Sequence, residues 1–586
     1  MMNENLSPEP KNDQTMNKQT YTALTIGPIY RTLQMTRSTK AVWAASYMFS
    51  YLMRKIIYKG IELGNINRDN ILLPQFKNDA LNDNYNLGVG LFPDRLIYKG
   101  QINDFQKIIE QVIEEFAEKV FEEDIKKAQC SITEENLTSF FKKYFHIHVL
   151  EIDLDAKDNV ILKIYEYLDT AELANKVNPL AEKEKCLIEF LEKYQPNYNF
   201  LHRLEFGNRQ FKSTAEIATA EFSSLDFYES AGKLIRRDKE NDQEEYYKKI
   251  KEGAGARFRN YQKYMAIVQA DGDNFGSFIK QLYTQPNSED LIKKFSNNLW
   301  HFGEEAVQLI NKFQGTPIYA GGDDLLFFIP VAHTRLNNKK DDDTETTEES
   351  RSINQKPKVK IDKTFFDLIN EIDALFHKWF TNHEDFKEII KGMPIKPTMS
   401  YGVSISYYKF PLNEARELGV DQLFYTAKKT CRKNAVSYAV LKHSGQYYGT
   451  TFHKDKDSYK TFDKMIKEHG VDGDFIHSIA QKLEPQSAVI FEIGKTCNKK
   501  DRDKMFDHFF KNNFDESIHT IKQPDGDKKL IPFLDDTKQL FKDIYTENPV
   551  FDAGDDDNAL ERHKANLKKL YAALRFLEFI NNQQER

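Results

Sequence analysis

Cysteine is scarce in this 586-residue chain. Its four copies, Cys130, Cys186, Cys431 and Cys497, lie far apart and form no Cys-x-x-Cys pair. That spacing excludes a disulfide framework or a zinc knuckle and fits a reducing, cytoplasmic location. No apolar run reaches the roughly 18 residues that a membrane span needs. Residues 1–18 are polar and Asn-rich, which reads as a disordered tail and not as a signal peptide. The net charge is −7, so no overall nucleic-acid signature exists, and only a local basic groove stays open. Histidine is missing before His146, and no His-Asp dipeptide occurs anywhere.

Aromatic residues, in contrast, are plentiful, with 43 Phe and 29 Tyr. With 40% apolar and 30% charged residues this is a folded, soluble composition, and the length calls for two to four domains. An α+β unit is expected over 19–165. It opens with the alternating strand Tyr21–Ile26, stopped by Gly27-Pro28, and continues into a helix carrying Trp43, Tyr47, Met48, Tyr51 and Leu52. A further helix is expected over 104–127, and His146–Asp153 with Val160–Tyr167 reads as a hairpin pair. Arg31, Arg37 and Lys40 are either a solvated helix face or a phosphate contact. Glu151, an acid inside an apolar strand, faces either solvent or a site.

A helical middle region is expected over 166–258, where Ser213 with Glu216 marks a helix start. A second α+β unit spans 259–450. Its order is strand, helix, helical region, hairpin, helix, strand, helix and a last strand at Val436–Leu441. Within it, 335–361 is a low-complexity insertion, read as a mobile loop. The chain from 451 to 586 reads as a helical domain.

Two acidic clusters stand out in the second unit. Tyr264–Ala270 is a strong strand that ends in Asp271-Gly272-Asp273. About 50 residues later, Gly321-Gly322 turns a hairpin between apolar runs and is followed at once by Asp323 and Asp324. Should the two strands pair, these carboxylates meet at one sheet edge. Paired acids there hold Mg²⁺ for phosphoryl chemistry, activating a 3′-hydroxyl and stabilising a leaving pyrophosphate. Alternation of faces predicts that one of Asp323 and Asp324 is the direct ligand. Lys428 and Arg432, one helical turn apart, either clamp a triphosphate or complement a helix C-terminus.

Together these residues resemble the palm domain of diguanylate cyclases. The chain resembles more closely the large subunit of type III CRISPR effector complexes, the polymerase/cyclase family of the Cmr (III-B) type. The motifs that carry the likeness run through most of the sequence. They include Ile26-Gly27-Pro28, Gly90-Leu91-Phe92-Pro93-Asp94-Arg95, Ser213–Ala218, Ala270–Gly276, Gly321–Asp324, Ser400-Tyr401-Gly402-Val403 and Ala427-Lys428. The resemblance implies two ferredoxin-like palm domains facing each other, with a helical middle insert and a helical C-terminal domain. It implies ATP bound between the palms with Mg²⁺ or Mn²⁺, and catalysis by Asp271, Asp323 and Asp324. Metal contacts would come from these acids and Gly272, and nucleotide contacts from Asp273, Asn274, Phe275, Gly276, Gly321, Gly322, Lys428 and Arg432.

The implied partners are crRNA, target RNA and the smaller Cmr subunits, with target RNA switching on synthesis of a second messenger. That product is cyclic oligoadenylate, or AMP joined to S-adenosylmethionine with Asp69 and Glu151 holding the acceptor. A catalytically silent scaffold is the alternative, and the intact acids argue against it. Three departures from the family pattern matter. The missing histidines speak against an HD nuclease, Cys186 alone in 166–258 speaks against zinc, and Tyr407-Tyr408 replaces a frequent His-His pair.

Overall fold

The computed structural model describes residues 18–82, 85–126, 133–155, 158–173, 200–207, 209–222, 243–255, 258–336, 359–468, 473–514, 530–551 and 555–582. Two sheets organise it. The first is built from β1 (Lys18–Gly27), β2 (Ile71–Leu73), β3 (Arg95–Lys99) and β4 (His146–Asp155), in the order β2-β3-β1-β4 with every neighbour antiparallel. Helices Thr39–Glu62 and Phe105–Val120 make the two crossovers. The first of them starts at Ser38, whose side chain accepts from the Ala41 N–H and so caps the exposed first turn.

The second sheet holds β5 (Tyr264–Asp273), β6 (Thr316–Gly321), β7 (Asp324–Pro330), β10 (Thr398–Tyr407), β11 (Ala435–Leu441) and β12 (Tyr447–His453). Its order is β12-β11-β10-β5-β7-β6. Four of these strands, β10-β5-β7-β6, repeat the order of the first sheet. The first strand of each unit lies between its last and its third. Residues Tyr264–Val268 at the centre of β5 are all buried, which is why this segment reads as a continuous apolar run. A separate ribbon, β8 (Ala332–Leu336) with β9 (Val359–Thr364), flanks the low-complexity insertion. Most of that insertion and of the N-terminal tail lies outside the described residues, as does much of 166–258.

The two units are joined side by side. The Ala320 N–H donates to Gly90 O at 3.1 Å, and the Gln75 N–H donates to Ser296 Oγ at 2.8 Å. Trp300, on the helix Ser288–Lys312, packs edge-on to Phe92 with ring centroids 5.0 Å apart. The last helix, Asp556–Asn581, covers the far end of the second sheet. There Tyr438 donates to Ala572 O and Tyr448 to Arg575 O.

Several expectations are corrected. Val160–Tyr167 is not a strand: Val160–Leu173 is a helix, and β4 pairs instead with β1. Val160, Ile161, Ile164 and Leu168 form one buried helical stripe, so the 3.6-residue period wins over the 2-residue one that the segment also contains. The helix expected just before Val436–Leu441 runs from Leu412 to Asp421 and changes at Gln422 into a wider π-helical turn that ends at Thr430. Val436–Leu441 is not the last strand, because β12 follows it. The helix start at Ser213 is present, with Ser213 and Glu216 capping each other reciprocally.

Candidate active site

The site begins with strand register. Strand β7 pairs antiparallel with β5, setting Ala270 opposite Leu325, and Gly321 faces Asp324 across the β6–β7 turn. Gly322 sits in the left-handed region (φ +67°), which lets two residues reverse the chain. Asp271, at the end of β5, and Asp323, in the turn, are therefore delivered to one sheet edge. Gly272 separates them. A β-carbon there would lie 2.6 Å from Asp323 Oδ2 and 2.5 Å from the Phe275 ring, so only glycine admits this approach. Asp324, the first residue of β7, is exposed.

Asp273 is fully buried. Its Oδ2 accepts from Thr398 Oγ1 (2.9 Å), Ser400 Oγ (2.7 Å) and the Asn434 N–H (3.0 Å). The pairing of β10 with β5 sets Thr398 opposite Asp273 and Ser400 opposite Asp271, which explains both hydroxyls. The Asp273 Oδ1 atom has no hydrogen-bond partner, but Lys428 Nζ lies 3.6 Å from it. The same ammonium donates to the Asp271 carboxylate and to Gly272 O at 3.0 Å. Arg432 is exposed and lies beyond the helix end, so it is not one helical turn from Lys428. Lys433 reaches the site instead, donating to Asn274 Oδ1 at 2.8 Å. Asn274 starts the next helix from a left-handed conformation (φ 65°).

Crowding shapes the acids. Burial raises the Asp323 pKa to about 7, and repulsion from Asp271 adds to it. Burial also raises Asp271, opposed by Lys428. Among the described residues no three His, Cys, Asp or Glu side chains gather closely enough to hold an ion unaided. A hard cation here would draw on Asp271, Asp323 and the Gly272 carbonyl, with phosphate oxygens and water completing its shell. Mg²⁺ is commonly held this way, by one or two carboxylates plus substrate phosphates.

Asp323 and Asp324 line a cleft of about 340 Å³, and Asp271 lies beside it, outside the lining. One wall is apolar, from Phe275, Ile279, Ile292, Phe295 and Leu299 of the second unit, with Leu73 and Pro74 of the first. The opposite wall carries Asp94, Arg95 and Tyr165. Burial raises the Asp94 carboxyl and the Tyr165 hydroxyl, the latter also feeling the charge of Asp323. Gly276, Gly321 and Gly322 line the cleft as expected from the sequence, but Asp69 and Glu151 do not. Asp69 is exposed, and its carbonyl accepts from Lys293 Nζ. Glu151 stands opposite Thr22 in register, three residues from Thr25, which faces His148 and Arg95, and this odd spacing puts it on the other face of the sheet. Glu151 bonds Gln101 there.

Sequence reasoning missed Asp94, Tyr165, Lys433 and the hydroxyl pair Thr398/Ser400. Alternation along Thr398–Ser406 would have put Thr398 and Ser400 on one face, but nothing local aims that face at Asp273.

Among the described residues, no helix is long and apolar enough to cross a membrane. Comparison with known proteins gives a consistent result. Residues 264–437 match the family description "Cas10/Cmr2, second palm domain", and residues 21–145 match "CRISPR-associated protein Cmr2, N-terminal". The CRISPR system Cmr subunit Cmr2 of Pyrococcus furiosus is 25% identical over 372 residues, covering 58% of this chain and 38% of that protein. The aligned part is thus well under half of the relative's length. The type III-B Cmr-beta complex bound to cognate target RNA contains a chain with TM-score 0.53 and 13% identity, covering 89% of this chain and 83% of that one. The apo Cmr-beta structure gives TM-score 0.49 and 11% identity, covering 85% and 78%. With the paired acids inside the palm match and β2, β3 and most of β1 inside the N-terminal match, this chain belongs to the Cas10/Cmr2 family of type III-B large subunits.

Proposed function

We propose that this chain is the large subunit of an RNA-guided Cmr-type effector complex and transfers adenylyl groups from ATP to make a nucleotide second messenger. The observation that carries the proposal is that strand register brings Asp271 and the Gly272 carbonyl, at the end of β5, and Asp323, in the β6–β7 turn, to one sheet edge beside the cleft. The cleft is lined largely by apolar side chains, Phe275, Ile279, Ile292, Phe295 and Leu299 among them, and Lys428 and Lys433 stand beside it on Asp271 and Asn274. Two palm-type domains, each with the strand order fourth-first-third-second, enclose the nucleotides. The partners are crRNA, target RNA and the smaller Cmr subunits. The relative named Cmr2 and the target-bound Cmr-beta neighbour support that assembly.

In the reaction a ribose 3′-oxygen attacks the α-phosphorus of ATP. The new P–O bond forms as the bond to pyrophosphate breaks, and the hydroxyl proton passes to solvent. Asp271 and Asp323 would hold Mg²⁺ or Mn²⁺, which when bound would supply charge neutralisation at the triphosphate. Ile279, Ile292, Phe295 and Leu299 seat the base and exclude water. Lys428 and Lys433 bring positive charge to the phosphates, and Asp94 with Tyr165 forms the acceptor wall. Positioning and electrostatics of this kind supply most of the rate enhancement in phosphoryl transfer. The position of Asp69 and Glu151 outside the cleft lining favours a nucleotide 3′-hydroxyl acceptor over S-adenosylmethionine.

The test uses the assembled complex with ATP, Mn²⁺ and target RNA, with products separated by chromatography. Asp323→Ala with Asp324→Ala is expected to abolish product while assembly and target binding persist. Wild-type turnover in that variant refutes the site and favours a silent scaffold. A change of products on adding S-adenosylmethionine restores the conjugate reading.

A further inference from the structure

The Lys428 ammonium is held by oxygens that a cation at this site would need. It donates to the Asp271 carboxylate and to Gly272 O at 3.0 Å, and it lies 3.6 Å from Asp273 Oδ1. Its side chain is only 15% exposed, so the contact is not a loose surface pair. The segment that carries it is docked on the same edge at two further points. Lys433 Nζ donates to Asn274 Oδ1 at 2.8 Å, and the Asn434 N–H donates to Asp273 Oδ2 at 3.0 Å.

The backbone of this segment is unusual on both sides of Cys431. Lys428 sits on a π-helical turn, Gln422–Thr430, a form that clusters at functional sites. Arg432, Lys433 and Asn434 then occupy the left-handed region in succession, at φ 60°, 74° and 49°. A non-glycine residue in this region is strained and persists only while its surroundings hold it. Here the surroundings are the acidic edge itself.

We propose that the turn Lys428–Asn434 is a latch, in which Lys428 competes with the divalent cation for Asp271 and the Gly272 carbonyl. A cation reaches these oxygens only when Lys428 lets go. An ammonium leaving a carboxylate needs another anion to receive it, and the triphosphate of ATP is that anion. Metal and nucleotide therefore enter as a unit, and metal alone is held off. The inference rests on the adenylyl-transfer reading of the site and adds a regulatory step to it.

Mn²⁺ binding followed by electron paramagnetic resonance on the full chain at pH 8 tests this, with and without ATP. Without nucleotide, Lys428→Gln is expected to bind Mn²⁺ at least tenfold more tightly than wild type. With ATP present the gap should close to less than threefold. Arg432→Gln removes the same charge from an exposed position and is expected to shift nucleotide-free Mn²⁺ affinity less than threefold. Lys428→Met is the second variant should the glutamine misfold by circular dichroism. Equal nucleotide-free affinity in wild type and Lys428→Gln overturns the latch, and so does an equal gain in Arg432→Gln. The underlying site is tested separately: Mn²⁺ with ATP that binds Asp323→Asn as tightly as wild type defeats the adenylyl-transfer reading itself.

Discussion

Asp323 Oδ2 lies 2.6 Å from the point where a β-carbon on Gly272 would stand. Asp323 can come up against the end of β5, where Asp271 stands, only because Gly272 has no side chain. Gly272→Ala is therefore expected to push Asp323 or the Phe275 ring aside while both acids remain chemically intact. Turnover of ATP should fall by about two orders of magnitude, the loss seen when a pre-organised catalytic group is displaced. Thermal stability should fall only moderately, by the cost of local overpacking, about 1–3 kcal/mol. Steady-state product formation and a denaturation curve on the same sample check both halves. Full activity in Gly272→Ala would show that the Asp323 position is not needed.

The raised carboxylates give a pH dependence with a definite sign. Asp323 titrates at about 7 in the folded chain, chiefly through burial, and Asp271 is raised as well. In the unfolded chain these groups lose their protons at about pH 4. Between those limits the folded state binds more protons, so stability falls as pH rises from about 4 to 7. Asp124, a buried acid also raised to about 7, acts in the same direction and is untouched by changes at the site. Denaturation midpoints measured from pH 5 to 8 with chelator present should decline in wild type. Asp323→Asn should decline less steeply, without becoming flat. Parallel curves for the two proteins would contradict the crowding of Asp323.

Asp273 tests the support beneath the site. Its Oδ2 takes three donors, and Ser400 Oγ is the nearest at 2.7 Å. A hydrogen bond to a buried charge contributes about 1.5–3 kcal/mol. Ser400→Ala should therefore lower stability by about that amount and reduce turnover several-fold, with little change in KM for ATP. Ser400→Thr, which keeps a hydroxyl, should recover much of both. Wild-type stability in Ser400→Ala would mean that Thr398 and Asn434 suffice.

How much of this was legible beforehand follows from range of interaction. The end of β5 and the Gly-Gly hairpin were readable because apolar strands with polar ends announce themselves locally. Their pairing, on which the acid cluster depends, was conditional until the register was seen. The start of the helix Val160–Leu173 reads as a strand because Val160, Leu162 and Ile164 alternate with a period of two. That error concealed Tyr165, and with it the wall facing the acids. Lys433 and the Asn434 N–H were out of reach for another reason. Their positions depend on three successive left-handed residues, none of them glycine, which no composition rule anticipates. Asp69 and Glu151 drew attention as acids in apolar or loop settings, but strand parity turns Glu151 away from the cleft.

The first unit's wall gives the last prediction. Arg95 binds Asp169 at 2.6 Å and Glu172 at 3.0 Å, and its guanidinium lies 4.8 Å from the Tyr165 ring centre. Thr25 also donates to Glu172, so β1 and β3 together fasten the helix that presents Tyr165 to the cleft. Arg95→Ala frees one side of that helix without touching the acids across the cleft. Asp169 and Glu172 are substantially solvated, so the ion pairs themselves contribute little to global stability. The effect is expected in substrate binding: KM for ATP should rise about tenfold, equivalent to about 1.4 kcal/mol, with kcat changed much less. Tyr165→Phe keeps the ring under the guanidinium and should behave nearly as wild type. Tyr165→Ala should reproduce the Arg95→Ala defect, and the double variant should be no worse than either alone, since both remove the same wall. Additive defects in the double variant would place Arg95 on the nucleotide directly, and a pure fall in kcat would place the pair in the chemistry and not in binding.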